Sequence, residues 1–225
     1  MRREVSIGRP FRRLALPWLL VPLFGMPVHA EIIDRIAISV GNQVITESQI
    51  DEDVRITAFL NAEKVDLAAA NRKKAASRLI DQSLVKREME FSRYSLPALS
   101  DADASLAELK MRYKDESAFE QALAQSGITE DGLKQRLWWQ VTLLRFIDYR
   151  FRSGIQIGDS DVDAYYQQQL PKWREQGIQP IPSRDDARPQ IEEILTQQRI
   201  DQNLDTWLAE ARTQVPIRYL DESLS

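Results

Sequence analysis

No cysteine occurs in the 225 residues, and the one histidine is His29. Disulfides and a lipid-bearing cysteine are therefore excluded. If residues 1–30 are cleaved, what remains has neither residue type. The common zinc sites, a Ser-His or Cys-His nucleophile pair and a histidine general base then drop out together. Glycine is also scarce, at eight residues, and neither standard glycine-rich phosphate loop is present. Long apolar runs are lacking too. The longest, Leu14–Met26, has 13 residues interrupted by Pro17 and Pro22, against the roughly 20 a spanning helix needs. Nor is there an excess of positive charge. The formal net charge is −4, which argues against a general nucleic-acid binder with a basic footprint.

The N-terminus has the three parts of a secretory signal. Arg2, Arg3, Arg9, Arg12 and Arg13 form a basic region, Leu14–Met26 an apolar one, and Val28-His29-Ala30 a cleavage site. Cleavage after Ala30 is expected in preference to a membrane anchor, with export by the general route. Loss of residues 1–30 removes five arginines and Glu4. That leaves 25 basic and 33 acidic residues, a net charge of −8. A soluble exported protein that avoids self-association fits this charge.

Past the signal, Ile32, Ile36, Ile38 and Val40 share one parity, so Ile32–Val40 reads as a half-buried strand. Gly41-Asn42 is a turn pair, and Gln43–Ile45 begins a return strand. Thr46 and Gln49 have capping-box spacing, which predicts a helix from Glu47. Further helices are predicted over Leu67–Tyr94, over Ser100 to about Tyr113 with Ser100 and Asp103 as caps, and over Glu116–Gln125 with Gly127 as C-cap. The longest apolar helix should run from Glu130 to about Arg152, capped by Thr129. Leu133, Leu137, Val141, Leu144, Ile147 and Phe151 fall on one face, with Trp138 and Tyr149 roughly opposite. Another helix starts at Asp159 or Ser160, and Lys172–Asp186 reads as a loop or linker. The last helix, about Ala187–Arg212, shows two apolar faces, first Ile191 and Leu195, then Ile200, Leu204, Trp207 and Leu208. It should therefore meet two different neighbours. Val215–Leu220 reads as a final strand. A two-stranded ribbon is marginal alone, so this strand is expected to return and pair with Ile32–Val40.

Asp159, Asp161 and Asp163 have the opening spacing of a calcium loop, but Ala164 and Leu170 stand where glycine and glutamate are required. They read as carboxylates favoured at a helix N-terminus. No other acidic pair is placed for acid–base work, so no catalytic residue, metal site or cofactor is expected. The aromatics are the stronger signal. Trp138, Trp139, Phe146, Tyr149, Phe151, Tyr165, Tyr166 and Trp173 fall within 36 residues. Phe151 and Trp139 read as core, whereas Trp138 and Tyr149 suit either a second core or a partly exposed patch, and an exposed aromatic patch would mark protein or peptide contact.

The segment DRIAISVGNQVITESQID resembles the opening of the SurA and parvulin-type periplasmic chaperones. SRLIDQSLVKREM, FEQALAQSGITEDGLKQRLWWQVTLLRFI, IGDSDVDAYYQQQLPKW and IEEILTQQRIDQNLDTWLAEARTQVPIRYLD are similar to later segments of that family, in the same order. The resemblance implies a mostly α, elongated multi-helix chaperone module, like the peptide-binding domains of SurA and trigger factor. A small β-ribbon would join its N-terminal strands to a C-terminal strand. Its parts would be a cleaved signal (1–30), an N-terminal helical region (31–175), a linker (176–186) and a C-terminal helix and strand (187–225). Relatives carry parvulin domains of about a hundred residues at that linker, and this chain has no room for one. The resemblance thus implies an ATP-independent, non-enzymatic periplasmic chaperone without isomerase activity or membrane anchor, monomeric or a helix-exchanged dimer. Its clients would be unfolded polypeptides, chiefly outer-membrane β-barrel precursors. Trp138, Tyr149, Trp139, Phe146, Tyr165 and Tyr166 are the candidate peptide contacts. A dedicated assembly protein with one partner, and a residual prolyl isomerase, are the alternatives.

Overall fold

Thr46 ends a strand and starts a helix. Its hydroxyl accepts the Gln49 N–H at 3.3 Å, and the Gln49 side chain accepts the Thr46 N–H at 3.0 Å. The expected capping box is thus formed. Thr46→Ala is expected to cost about 1 kcal/mol, measurable by urea denaturation.

A computed structural model describes residues 34–224; the expected signal and Ile32 lie outside them. The described chain runs β1 (Ile36–Val40), β2 (Gln43–Thr46), α1 (Glu47–Leu60), α2 (Ala69–Phe91), α3 (Asp103–Lys110), α4 (Glu116–Ser126), α5 (Glu130–Phe151), α6 (Asp159–Glu175), α7 (Arg184–Gln214) and β3 (Ile217–Tyr219). It is a mostly helical protein with one small antiparallel sheet. Gly127 ends α4 with φ +67°, the left-handed conformation that glycine adopts without steric cost.

The sheet order is β2-β1-β3, so the last strand pairs with the first, as expected. Ile38, Ser39 and Val40 lie opposite Tyr219, Arg218 and Ile217. Beyond the ladder, the Gly41 N–H donates to the Pro216 carbonyl at 2.9 Å, and the Leu220 N–H to that of Ala37 at 2.8 Å. One expectation is corrected. Between Ile36↔Thr46 and Ile38↔Ile45, β1 carries an extra residue, a bulge. The bulge breaks the period of two, so Ala37 turns inward and Ile36 is 42% exposed.

Ile38, Val40 and Ile45 pack with Ile50 and Val54 of α1, Ile80 and Leu84 of α2, Val215 and Leu224. A second cluster joins Ile56 and Phe59 of α1 to α3, α4 and the start of α5 through Leu106, Phe119, Leu133 and Leu137. A third packs Val85 and Met89 of α2 against Trp139 and Phe146 of α5, with Trp207 and Leu208 beside them. The fourth lies between α6 and the start of α7, around Val162, Ala187 and Ile191. Helix α7 does meet two sets of neighbours. Ile191 and Leu195 lie against α6, while Trp207, Leu208 and Ala211 reach the sheet and α2.

The single apolar stripe expected on α5 is corrected. Leu133 and Leu137 are buried, but Leu144 is 69% exposed, and from Trp139 onward the helix buries Trp139, Thr142 and Phe146 instead. The helix turns one side to α3 and α4 and then a different side to α2, and periodicity taken over all 22 residues averages the two. The third helix also differs. Leu99–Ala102 forms a 3-10 turn running straight into α3, with no side-chain cap. Helix α6 continues through Pro171 to Glu175, so the loop starts later than expected.

Candidate functional site

Helices α1, α2 and α5 each turn an i, i+3, i+4, i+7 stripe toward one cleft of about 350 Å³. The α1 stripe is Gln49, Glu52, Asp53 and Ile56. That of α2 is Leu79, Gln82, Ser83 and Lys86, and that of α5 is Gly132, Gln135, Arg136 and Trp139. Gln43 and Val44 of β2 and Trp138 complete the lining.

Asp53 is the electrostatic centre of the cleft. Only 3% exposed, it receives the Arg78 Nε–H at 3.0 Å and also pairs with Arg136. Both guanidiniums reach the Thr57 hydroxyl through longer contacts of 3.4 and 3.5 Å. One carboxylate thus ties α1 to α2 and α5. The Lys86 ammonium lies 5.1 Å from the centre of the Trp139 ring, a cation–π geometry. Burial pulls the Lys86 pKa below the usual lysine range, and Glu90 offsets only part of this.

On the other side of Trp139 and Arg136 opens a second hollow, of about 300 Å³, between α2, α5 and α7. Its walls are Val85, Trp139, Leu143, Leu204 and Leu208, and Arg78, Asp81 and Arg136 lie among its polar residues. The Arg212 Nε–H donates to Asp81 at 2.8 Å. Burial pushes the Asp81 carboxyl up while Arg212 pulls it down. Gln82, Arg136 and Trp139 line both hollows. An apolar groove therefore lies directly beside a polar cleft, with one indole and one guanidinium between them.

Of the six candidate contact residues, Trp138 and Trp139 reach this region. Trp138 is half-buried, and its indole N–H donates to the Pro97 carbonyl at 3.1 Å. Trp139 is 7% exposed and lines both hollows. Phe146 is buried, edge-on to Tyr94 at 5.1 Å. Tyr149, 63% exposed, stands 5.4 Å from the same tyrosine. Tyr165 and Tyr166 pack in the α6–α7 cluster, where the Tyr166 hydroxyl donates to the Pro182 carbonyl at 2.9 Å. The side chains that aromatic spacing passes over are Asp53, Lys86, Arg136, Leu143, Leu204 and Leu208. For the charged ones a signal exists, since polar residues recur at helical period where a packed seam should be apolar.

Asp159, Asp161 and Asp163 pair with Arg184, Arg188 and Arg199. Among the described residues, no group of three or more His, Cys, Asp or Glu is placed to hold a metal ion. Among the same residues, no helix is long and apolar enough to cross a membrane.

The fold and site define a mostly helical protein whose first and last strands share one sheet, with an apolar groove next to a charged cleft. Neither a family model nor a curated protein matches the chain.

Proposed function

We propose that the chain is an ATP-independent chaperone of the periplasm. In this reading it holds unfolded or partly folded envelope proteins, outer-membrane β-barrel precursors chief among them, and has no prolyl isomerase activity. The supporting observation is the groove of Val85, Trp139, Leu143, Leu204 and Leu208, rimmed by Arg78, Asp81 and Arg136. Apolar walls with a few fixed polar groups suit reversible capture of chain segments. Exposed apolar segments of a client would leave water there, at roughly 25 cal/mol per Å² of apolar area covered. The acidic surface would keep the complex in solution.

The test is aggregation suppression, with an unfolded outer-membrane protein and an unrelated soluble one. Both should be kept from aggregating, and Leu143→Asp with Leu204→Asp should raise the concentration required by about tenfold. Circular dichroism would show whether that variant keeps its helices. Protection of neither client, or undiminished protection by a folded double variant, would sink this reading. Protection of one client alone would favour a dedicated partner instead. A peptide isomerisation rate above the uncatalysed one would remove the non-enzymatic part of it.

A further inference from the structure

The sheet has two outer edges, β2 and β3, and they are not alike. An open edge presents main-chain N–H and C=O groups that can pair with another chain. The β3 edge carries Pro216 and the exposed Arg218, residue types that discourage strand addition. The four residues of β2, Gln43 to Thr46, include neither a proline nor a charge. Val44 there is 50% exposed and lines the cleft between α1, α2 and α5.

The register shows which groups of β2 are open. The Gly41 N–H donates to Pro216 and the Leu220 N–H to Ala37. In the antiparallel alternation, Ser39 therefore exchanges both its bonds with Arg218 of β3. Its partner on the other side is Val44, which becomes a non-hydrogen-bonded position whose N–H and C=O point away from β1. Among the described residues nothing else pairs with either group. The next N–H of that parity, on Thr46, is already held by Gln49 at 3.0 Å, so Val44 is the docking point. Beside it, the side chains of Gln43, Gln82 and Gln135 line the cleft without a hydrogen-bond partner among the described residues. Each amide offers donors and an acceptor, the complement of a peptide backbone. The charges of the lining balance, Lys86 and Arg136 against Glu52 and Asp53, so the occupant needs no charge.

We propose that β2 takes one extended segment of the bound polypeptide as a fourth strand, paired main chain to main chain at Val44 and steadied by the three glutamines. A cleft of about 350 Å³ has the size of a site for one small ligand or chain segment, not for the sheet and helices that a second copy would bring. The inference rests on reading the neighbouring groove as a polypeptide site. Gln82, Arg136 and Trp139 border both hollows, so one chain can run from the groove to the strand. Affinity from main-chain hydrogen bonds asks little of the client's sequence, which suits unrelated clients.

Anisotropy of a fluorescein-labelled, uncharged, leucine-rich peptide on the full chain tests it, together with hydrogen exchange at the Val44 amide. Proline is tolerated at an edge position whose N–H is unpaired. Val44→Pro should therefore keep its helices by circular dichroism yet bind the peptide about fivefold more weakly, the scale of one net hydrogen bond. Val44→Thr, which keeps the shape and the main-chain pair, should bind like the natural chain. With about nine-tenths of the natural chain occupied, exchange at the Val44 amide should slow about tenfold, because only the free tenth stays open. Undiminished binding by a folded Val44→Pro chain, an equal loss in Val44→Thr, or unchanged exchange with peptide bound overturns the added strand and leaves the groove standing. Should Val44→Pro unfold, exchange on the natural chain decides alone. Self-association of the peptide-free chain that Val44→Pro abolishes gives the edge to a second copy and overturns the assignment. Failure of the peptide to bind overturns both readings.

Discussion

Asp53→Ala is expected to destabilise the protein by about 3–5 kcal/mol, the cost of removing one partner from a buried ion pair. Two guanidiniums from two helices converge on this one carboxylate, and among the described residues Thr57 is the other acceptor they share. Without Asp53, Arg136, whose side chain is 18% exposed, holds a charge with no counterion at the junction of α1, α2 and α5. The variant should lose stability in urea denaturation. Replacing all three, as Asp53→Leu with Arg78→Met and Arg136→Met, should recover most of the loss, because an apolar set of similar volume is often neutral or better than a buried pair. A loss below about 1 kcal/mol for the single variant would mean that solvent reaches the cluster freely.

A chain ending at Gln214 should lose a comparable or larger amount, about 4–7 kcal/mol. That range counts Val215 and Leu224 as fully buried and Ile217 as partly so, at roughly 1.5–3 kcal/mol for each complete burial. Such area accounting is an upper bound. Domains of ordinary stability have about 5–15 kcal/mol to lose, so cooperative melting should fall by many degrees or disappear. Truncation also strips β1 of one of its two neighbours and leaves the N–H of Gly41 without the Pro216 carbonyl. The open edge of β1 then becomes a template for pairing with other chains, and light scattering should show self-association. A truncated chain with an unchanged melting temperature would show that Ile38 and Val40 do not depend on the final strand.

Both predictions concern positions whose importance differs in how it can be read. The return of the last strand is legible from the sequence. Val215–Leu220 has strand character, an isolated ribbon is marginal, and no third strand lies between. The same holds for the cap at Thr46 and the left-handed end at Gly127, where one residue type at one spacing suffices. Asp53 carries no such mark. It stands in a helix among exposed and buried neighbours alike, and only the approach of Arg78 and Arg136, 25 and 83 residues away, makes it a buried centre.

The candidate site divides along the same line. Trp139 is conspicuous in the sequence, yet its spacing marks it only as core. Its role as the wall between groove and cleft comes from α7 returning with Leu204 and Leu208 on one side and α1 standing on the other. Leu143, Leu204 and Leu208 are ordinary helical leucines until they meet. Periodicity describes a helix against one environment, so it located the faces of α7, where the change comes halfway along a long helix. It missed the change on α5, where Leu144 lost its neighbour to the rotation between α3 and α2.

By itself, then, the sequence determined what is local: the caps, the turn at Gly41-Asn42, the helical class, the acidic balance and the lack of histidine or cysteine chemistry beyond residue 30. Those follow from backbone preference and composition, which act within a few residues. Tertiary structure alone decided the bulge at Ala37, the handover along α5, the burial of Asp53 and the meeting of apolar groove with charged cleft. Each depends on groups far apart in the chain competing for the same space, and desolvation makes a charge significant only once that space is closed.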